Sequence, residues 1–221
     1  MGQGKSKGQH YLTPEMKSAS TGSSPSLFQG GTLDLCSSNE VLVGCSDDNQ
    51  ICAFNWREAV ENYASLKKSY LKGHSKAVNK VCARKNIIFS VSRDLSLKIW
   101  NLETSSLVSD VPNCHTLNIS ALAATKDGSS VASGARDYSV KIRSTESCQI
   151  LREYSSPRNI VTCLQFDRVN ESLLYQGAED LCLRVYDIRS SSPNPAKQLT
   201  GYLYFPISLD VHSDGNYLVT G

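Results

Sequence analysis

The stretch Ser90-Val-Ser-Arg-Asp-Leu-Ser-Leu-Lys-Ile-Trp-Asn-Leu102 decides the fold of this chain. It predicts a β-hairpin with one apolar strand, a polar turn and a second strand that ends in a tryptophan. The second strand alternates in character. Leu97 and Ile99 fall on one of its faces, and Lys98 and Trp100 fall on the other. A period of two residues is typical of a strand that packs within a stack of sheets.

The landmarks of this hairpin recur along the chain. An aspartate marks the turn of each copy: Asp48, Asp94, Asp137 and Asp180. Six residues after each aspartate comes the position that closes the hairpin: Phe54, Trp100, Arg143 and Tyr186. The last three aspartates are 43 residues apart each time, and a period in the low forties is typical of four-stranded propeller blades. Unrelated strands of a sandwich are the alternative, but they would not keep the six-residue offset constant.

The order of Gly73-His74, Asp94 and Trp100-Asn101 resembles the repeat of the WD-repeat β-propeller family. The resemblance implies an all-β fold, an incomplete propeller of about four and a half blades. The expected blades cover residues 32–71, 74–111, 115–154, 159–199 and, in part, 207–221. The last range ends inside a second strand, and propellers close as rings, so we expect a truncated product or a fragment.

The same resemblance implies a structural hydrogen-bond network in the second blade, formed by His74, Ser90 or Ser92, Asp94 and Trp100. In this network the aspartate holds the imidazole, the imidazole reaches a serine hydroxyl, and that hydroxyl meets the indole N–H. Such a network makes a blade rigid when every member is satisfied. A Ser/His/Asp set also occurs in hydrolases, but a catalytic set would occur once, whereas this aspartate recurs.

The later blades keep only parts of this set. The third blade retains His115 and Asp137 but has arginine in place of tryptophan. The fourth retains Asp180 and has no obvious histidine. We therefore expect these two blades to be less rigid than the second.

Composition narrows the class of protein. The 221 residues are 40% hydrophobic and 20% charged, which is ordinary for a globular chain. The net charge of +2 is too small to indicate a basic surface that attracts nucleic acid. The eight cysteines are scattered without a CxxC pair, which argues against zinc and predicts free thiols in the cytosol. No protease, P-loop, nucleophile-elbow or dinucleotide motif is present. We expect no enzymatic activity, no cofactor and no small-molecule substrate.

Residues 1–30 are polar and rich in glycine and serine, which predicts a disordered arm. The first six residues fit the pattern for N-myristoylation, with Gly2 as the acceptor and Ser6 in the last position. One acyl chain binds membranes only marginally, so Lys5 and Lys7 would supply a second, electrostatic attraction to an anionic membrane surface. A polar tail that happens to begin Met-Gly is the plain alternative.

The family resemblance also implies a non-catalytic scaffold that binds protein partners on a face of the propeller. Arg93, Arg136 and Arg158 fall in or near turns and are candidate contacts, with ordinary solvated surface as the alternative. The stretches Phe54–Trp56 and Pro157–Thr162 resemble a group of WD-repeat proteins that is linked to cilia and to the trafficking of ciliary cargo.

The sequence Tyr186-Asp187-Ile188-Arg189 predicts a second function. It resembles the W/Y-D-x-R box by which some WD-repeat proteins dock onto cullin-RING ubiquitin ligases as substrate receptors. In that case Arg189 would make a charged, bidentate contact with the ligase adaptor, and Asp187 would belong to the same box. Plain repeat sequence that ends in a basic loop residue is the alternative.

Overall fold

The computed structural model describes residues 27–61, 66–155 and 159–221. Within these ranges the chain forms four four-stranded antiparallel sheets, one two-stranded sheet and one short helix. The fold is all-β and built from successive similar sheets, as an incomplete β-propeller requires, which confirms the predicted fold class.

Each sheet takes its strands in chain order. The first contains β1 (Thr32–Ser38), β2 (Val41–Ser46), β3 (Ile51–Asn55) and β4 (Lys68–Leu71). The second contains β5 (Val78–Arg84), β6 (Ile87–Ser92), β7 (Leu97–Asn101) and β8 (Ser106–Val111). The third contains β9 (Ile119–Ala124), β10 (Ser130–Ala135), β11 (Val140–Ser144) and β12 (Ile150–Tyr154). The fourth contains β13 (Val161–Phe166), β14 (Leu173–Ala178), β15 (Cys182–Asp187) and β16 (Lys197–Leu199). The two-stranded sheet pairs β17 (Leu209–Val211) with β18 (Leu218–Thr220).

The first strand of each sheet lies at the centre of the molecule. Strand β1 contacts β5, β5 contacts β9, β9 contacts β13, and β13 contacts β17. These strands line a central cavity of about 910 Å³. The sheets are therefore arranged around a common axis, with their fourth strands outermost, and we call each four-stranded sheet a blade.

Apolar side chains fill the space between successive blades. One cluster joins the first and second blades, a second joins the second and third, and a third joins the third and fourth. The third and fourth blades pack closely at Gly134, where a Cβ atom would lie 2.5 Å from Val161 Cγ1. Any larger side chain there would push the next blade away. Within the fourth blade, a Cβ atom on Gly177 would lie 2.5 Å from the Cys163 sulfur.

The first blade contains a short helix between its third and fourth strands. Strand β3 ends at Asn55, and the helix α1 covers Trp56–Glu61. The Asn55 side chain accepts hydrogen bonds from the N–H groups of Arg57 (2.9 Å) and Glu58 (3.3 Å) and so caps the helix. The segment between the two strands thus begins as a six-residue helix.

The arm predicted for residues 1–30 also needs a correction at its end. Residues 1–26 lie outside the described ranges, but Leu27 to Gly30 pack on the first blade. Phe28 is buried with Cys52 and Phe54, and the N–H group of Gln29 donates to Asp48. One aromatic side chain with a place in the core is enough to fix this segment.

Candidate functional site

The four repeated aspartates occupy matching corners of successive blades. Each lies in the turn between the second and third strands of its blade. The residue after each aspartate has a positive φ between 63° and 68°: Asn49, Leu95, Tyr138 and Leu181. Non-glycine residues rarely adopt this conformation, so its recurrence shows that the four turns are built in the same way.

The second blade contains the most complete side-chain network. His74 Nδ1 lies 2.9 Å from Asp94 Oδ2, and His74 Nε2 lies 2.7 Å from Ser90 Oγ. The indole N–H of Trp100 donates to the same serine oxygen at 2.9 Å. The imidazole thus donates from Nδ1 to the carboxylate and accepts the serine O–H at Nε2. The structure brings these four predicted residues together from two strands, the turn between them and the loop before β5.

The serine in this network is Ser90, because Ser92 forms a different set of hydrogen bonds. Ser92 donates to the Lys76 carbonyl at 2.9 Å and accepts the N–H of Asp94 at 3.1 Å, which holds the turn against the preceding loop. Ser96, which the sequence analysis did not single out, donates to Asp94 Oδ1 at 2.7 Å.

Burial and these hydrogen bonds set the pKa values of the pair. Burial lowers the pKa of His74, although the neighbouring Asp94 works against the shift, so the imidazole is neutral at pH 7. Burial alone would raise the pKa of Asp94. Hydrogen bonds from the Ser96 hydroxyl, the Ser75 N–H and His74 outweigh it and hold that pKa at about 2.

The third blade repeats the arrangement with one change. His115 Nδ1 lies 3.0 Å from Asp137 Oδ2, and its Nε2 lies 2.8 Å from the Ser133 hydroxyl. Burial lowers the pKa of His115, as it does for His74. Arg143 stands in the tryptophan position, and its Nη1 donates to the Cys148 carbonyl at 3.0 Å instead of bonding to the serine.

The first blade keeps the turn and replaces the polar set with apolar residues. Asp48 accepts the N–H of Gln29 at 2.9 Å, as Asp94 accepts the N–H of Ser75 at 3.0 Å. This match puts Phe28 in the place of the histidine. Phe54 takes the place of the tryptophan, and Phe28 and Phe54 belong to the same buried cluster.

In the fourth blade, the aspartate pairs with a guanidinium from the third strand instead of an imidazole from the loop before the first strand. Arg184, on β15, is 2% exposed and forms an ion pair with Asp180 through Nη2, while its Nη1 donates to Asp180 at 3.1 Å. Tyr186, in the tryptophan position, stacks on Tyr154 with ring centroids 4.3 Å apart. Pattern matching from the other blades missed Arg184, because the cation lies after the aspartate instead of before it.

The His/Ser/Asp sets of the second and third blades are built as structural hydrogen-bond networks and not as catalytic sites. The side chains of His74 and His115 are 1% and 0% exposed, and Ser90 and Ser133 are fully buried. Each imidazole nitrogen already has a partner within its blade. A nucleophilic serine must reach its substrate, and neither hydroxyl has a path to solvent. Across the described part of the chain, no cluster of three histidine, cysteine or acidic side chains could hold a metal ion.

Asp187 and Arg189, the residues predicted to contact a ligase adaptor, lie just beyond the buried core of the fourth blade. Arg189 is exposed and donates to Asp187 through Nε at 3.0 Å and through Nη2 at 2.7 Å. These hydrogen bonds lower the pKa of Asp187 to about 2. The predicted lipidation site Gly2 and the candidate contact Arg158 lie outside the described residues. No helix among those residues has the length and hydrophobicity of a membrane span.

Comparison with known proteins agrees with this geometry. The family model described as "WD domain, G-beta repeat" matches residues 65–101 and 107–144. The chain is 25% identical to the kinesin-like protein KIF21A of Homo sapiens over 72% of its own length and 9% of that protein. It is 25% identical to the nuclear distribution protein PAC1 of Komagataella phaffii over 78% of its own length and 37% of that protein.

A third relative is the guanine nucleotide-binding protein subunit beta-like protein of Encephalitozoon cuniculi, which is 22% identical over 69% of this chain and 47% of that protein. The chain thus spans less than half of the length of each of these relatives. Both matches to the family model end at the residue pair that closes the third strand of a blade, Trp100-Asn101 and Arg143-Ser144. The chain therefore carries WD repeats, and these matches together with its stack of four-stranded blades support its place in the WD-repeat family.

Proposed function

We propose that this chain is a non-catalytic scaffold in ciliary assembly or in the trafficking of ciliary cargo, tethered to a membrane through an acyl group on Gly2. The WD repeats support the general role of a protein-interaction scaffold. The observation that carries the non-catalytic part is the burial of two equivalent His/Ser/Asp sets in successive blades. Repeated and inaccessible groups stabilise a platform, whereas a catalytic set is single and open.

The ciliary part of the proposal rests on resemblance. Several short motifs, among them Phe54–Trp56 and Pro157–Thr162, resemble WD repeat-containing protein 31, which belongs to a family linked to cilia. One curated relative is named a kinesin-like protein, and this name is compatible with a role in transport. In ciliated cells, the tagged chain should concentrate at the cilium or its base. An even cytoplasmic distribution of the wild-type chain would contradict the ciliary assignment.

The membrane tether is tested by the intact mass of the chain after co-expression with an N-myristoyltransferase. We expect the wild type to lose Met1 and gain one myristoyl group, while the Gly2→Ala variant gains none. The acylated chain should also sediment with vesicles that contain phosphatidylserine, because Lys5 and Lys7 add electrostatic attraction to the single acyl chain. An unmodified wild-type N-terminus would remove the tether.

A second candidate function is that of a substrate receptor for a cullin-RING ubiquitin ligase. The exposed Arg189 and its partner Asp187 favour it, since Asp187, the last residue of β15, holds the guanidinium through Nε and Nη2 and leaves the Nη1–Nη2 edge for a contact with an adaptor. Pull-down of the ligase adaptor should succeed with the wild type and fail with Arg189→Ala. Equal recovery with both proteins, or recovery with neither, would reject this function.

A further inference from the structure

Two adjacent blades carry an arginine at the same position of the turn. Arg93 immediately precedes Asp94, and Arg136 immediately precedes Asp137. The preceding loop anchors both backbones, because the Arg93 N–H donates to the Ala77 carbonyl and the Arg136 N–H donates to the Asn118 carbonyl, each at 2.9 Å. Both side chains are exposed at the same end of the molecule. Their bases are thus fixed while their guanidinium groups face solvent.

The charge at this turn position changes sign around the molecule. The first and fourth blades have Asp47 and Glu179 where the second and third have Arg93 and Arg136. Positive charge is therefore confined to the two middle blades and is flanked by an acid on either side. A binding partner with the opposite pattern would be held in one position, because any shift by one blade would bring like charges together.

A groove of about 780 Å³ lies between the two arginines and is also lined by Lys76 and Leu117. Leu117 is 52% exposed, so it offers an apolar contact without any rearrangement. Within the described ranges, no carboxylate lies at ion-pair distance from the three cations Lys76, Arg93 and Arg136. The nearby Asp94 and Asp137 are nearly buried and already accept hydrogen bonds from histidine, serine and backbone groups.

The wall of the groove is held rigid by a chain of amide hydrogen bonds. Asn79 Nδ2 donates to Asn118 Oδ1 at 2.8 Å and to the Ile119 carbonyl at 2.7 Å, which links the second blade to the third. The Nε–H of Arg93 donates to Asn79 Oδ1 at 3.4 Å. This contact orients the guanidinium through Nε and leaves its two outer nitrogens for a ligand. A preorganised cation loses less conformational entropy on binding.

We propose that this groove binds an extended acidic protein segment, whose carboxylates pair with Arg93 and Arg136 and whose apolar side chain packs on Leu117. Guanidinium groups bind carboxylates in a planar, bidentate manner, which suits two arginines at a fixed separation. The groove is flanked by Asp47 and Glu179, which would repel a uniformly anionic membrane surface. Its lining holds no aromatic side chain on which a nucleic-acid base would stack. The inference extends the scaffold role and is independent of the acyl anchor and of the cilium.

The test uses the full chain and a fluorescein-labelled peptide of alternating glutamate and leucine. We expect saturable binding by fluorescence anisotropy in about 150 mM salt, and a loss of affinity of at least about tenfold in the double variant Arg93→Glu/Arg136→Glu. Lys197→Glu, which reverses an exposed charge on the distant strand β16, is the matched control and should bind like the wild type. Leu117→Ser should weaken binding while it leaves every charge in place.

Three outcomes would overturn the proposal. The first is equal binding of the peptide by the wild type and the double variant, and the second is an equal loss in Lys197→Glu. The third is groove-dependent binding of phosphatidylserine vesicles or of single-stranded polyuridine without any binding of the peptide. Thermal unfolding of each variant accompanies the titrations. If charge reversal unfolds the chain, the neutral variants Arg93→Gln and Arg136→Gln replace it, each with an expected loss of about threefold.

Discussion

At the scale of single residues, the hydroxyl of Ser90 joins the hydrogen bonds that stabilise the second blade. It receives the indole N–H of Trp100 and bonds to the imidazole of His74, and all three side chains are buried. A buried donor that loses its acceptor costs free energy, because water cannot replace the lost bond. One hydroxyl group therefore supplies the hydrogen-bond partner for a ring nitrogen of each of two large buried side chains.

Ser90→Ala should lower the free energy of unfolding by about 2 kcal/mol, because it leaves the indole N–H and one imidazole nitrogen without partners. Urea denaturation followed by tryptophan fluorescence measures this change. Ser109→Ala, which removes a hydroxyl from the outer strand β8, is the control and should change stability by less than about 0.5 kcal/mol. Equal effects of the two substitutions would contradict the role of Ser90.

The two buried histidines predict a loss of stability in mild acid. Burial lowers the pKa of both His74 and His115 below the ordinary value of 6.5, so the unfolded chain binds protons at a higher pH than the folded chain. Their contribution to stability is complete above about pH 6.5 and decreases as the pH falls below it. The carboxylate of Asp94, whose pKa is about 2, adds a separate loss only at lower pH, below its ordinary value of 3.8.

Urea unfolding at a series of pH values from about 7 to about 5 measures this dependence. The free energy of unfolding should decrease steadily across the range in the wild type, and the His115→Gln variant should show a smaller slope at a lower starting stability. The control is Asn194→Ala in an exposed loop, which removes no titratable group and should keep the wild-type slope. A wild-type slope that survives in His115→Gln would show that the buried imidazole is not responsible.

At the scale of elements, a polar side chain near the start of the first strand links the second, third and fourth blades each to the element that follows. Asn79 on β5 donates to the Ile119 carbonyl, Ser120 on β9 donates to the Val161 carbonyl, and Thr162 on β13 donates to the Pro206 carbonyl. In each case the donor is the second residue of its strand. Each bond joins a side chain of one blade to the backbone of the next blade or of the segment that leads into β17, so it reinforces the packing that the apolar clusters provide.

Asn79→Ala should loosen the contact between the second and third blades. We expect faster amide hydrogen exchange in β9 and a loss of about 1 kcal/mol in the free energy of unfolding, because the Ile119 carbonyl loses a donor. Exchange followed by mass spectrometry locates the effect. Asn194→Ala, in an exposed loop of the fourth blade, should leave the exchange of β9 unchanged. Unchanged exchange of β9 in Asn79→Ala would rule out this fastening.

The fourth blade depends on one ion pair between its turn and its third strand. The Arg184 side chain is 2% exposed, so Asp180→Asn, which leaves this buried guanidinium without its carboxylate, should lower the free energy of unfolding by about 3 kcal/mol. The double variant Asp180→Asn/Arg184→Met should recover a part of this loss, since no unpaired charge remains. Chemical denaturation of both single variants and the double variant measures the coupling. Strictly additive effects would show that Asp180 and Arg184 do not act as a pair.

At the scale of the whole molecule, the two-stranded sheet and the loop before it carry a large apolar surface. Leu203 and Tyr204 are 88% and 84% exposed, and Tyr217 and Val219 are exposed on the β17–β18 hairpin. Exposed apolar residues in such proximity favour association, and an open sheet offers unpaired backbone groups as well.

The double variant Leu203→Ser/Tyr204→Ser should reduce self-association of the isolated chain. We expect the wild type to show a concentration-dependent increase in weight-average sedimentation coefficient, and the variant to show a smaller one, because apolar surface has been removed. Val108→Ser on the outer strand β8 is the control, since Val108 is also exposed but lies away from the hairpin. A concentration-independent wild type would refute this prediction.

The sequence by itself determined the repeat, the fold class and the positions of the turns. A constant offset of six residues between Asp94 and Trp100, and between their counterparts, follows from the length of one hairpin, which is a local property. It also placed His74 and His115 with their aspartates, because the residue types survive in the same order. Short-range spacing is sufficient for both inferences, since the partners lie within one blade.

Tertiary structure alone decided which groups take the place of the histidine in the first and fourth blades. Arg184 reaches Asp180 from the far side of the turn, and Phe28 enters the first blade from a segment that resembles a polar arm. The groove beside Arg93 and Arg136 forms only when two blades are packed together. These contacts depend on distances between strands that are remote in sequence, and spacing along the chain carries no information about them until the blades are arranged around a common axis.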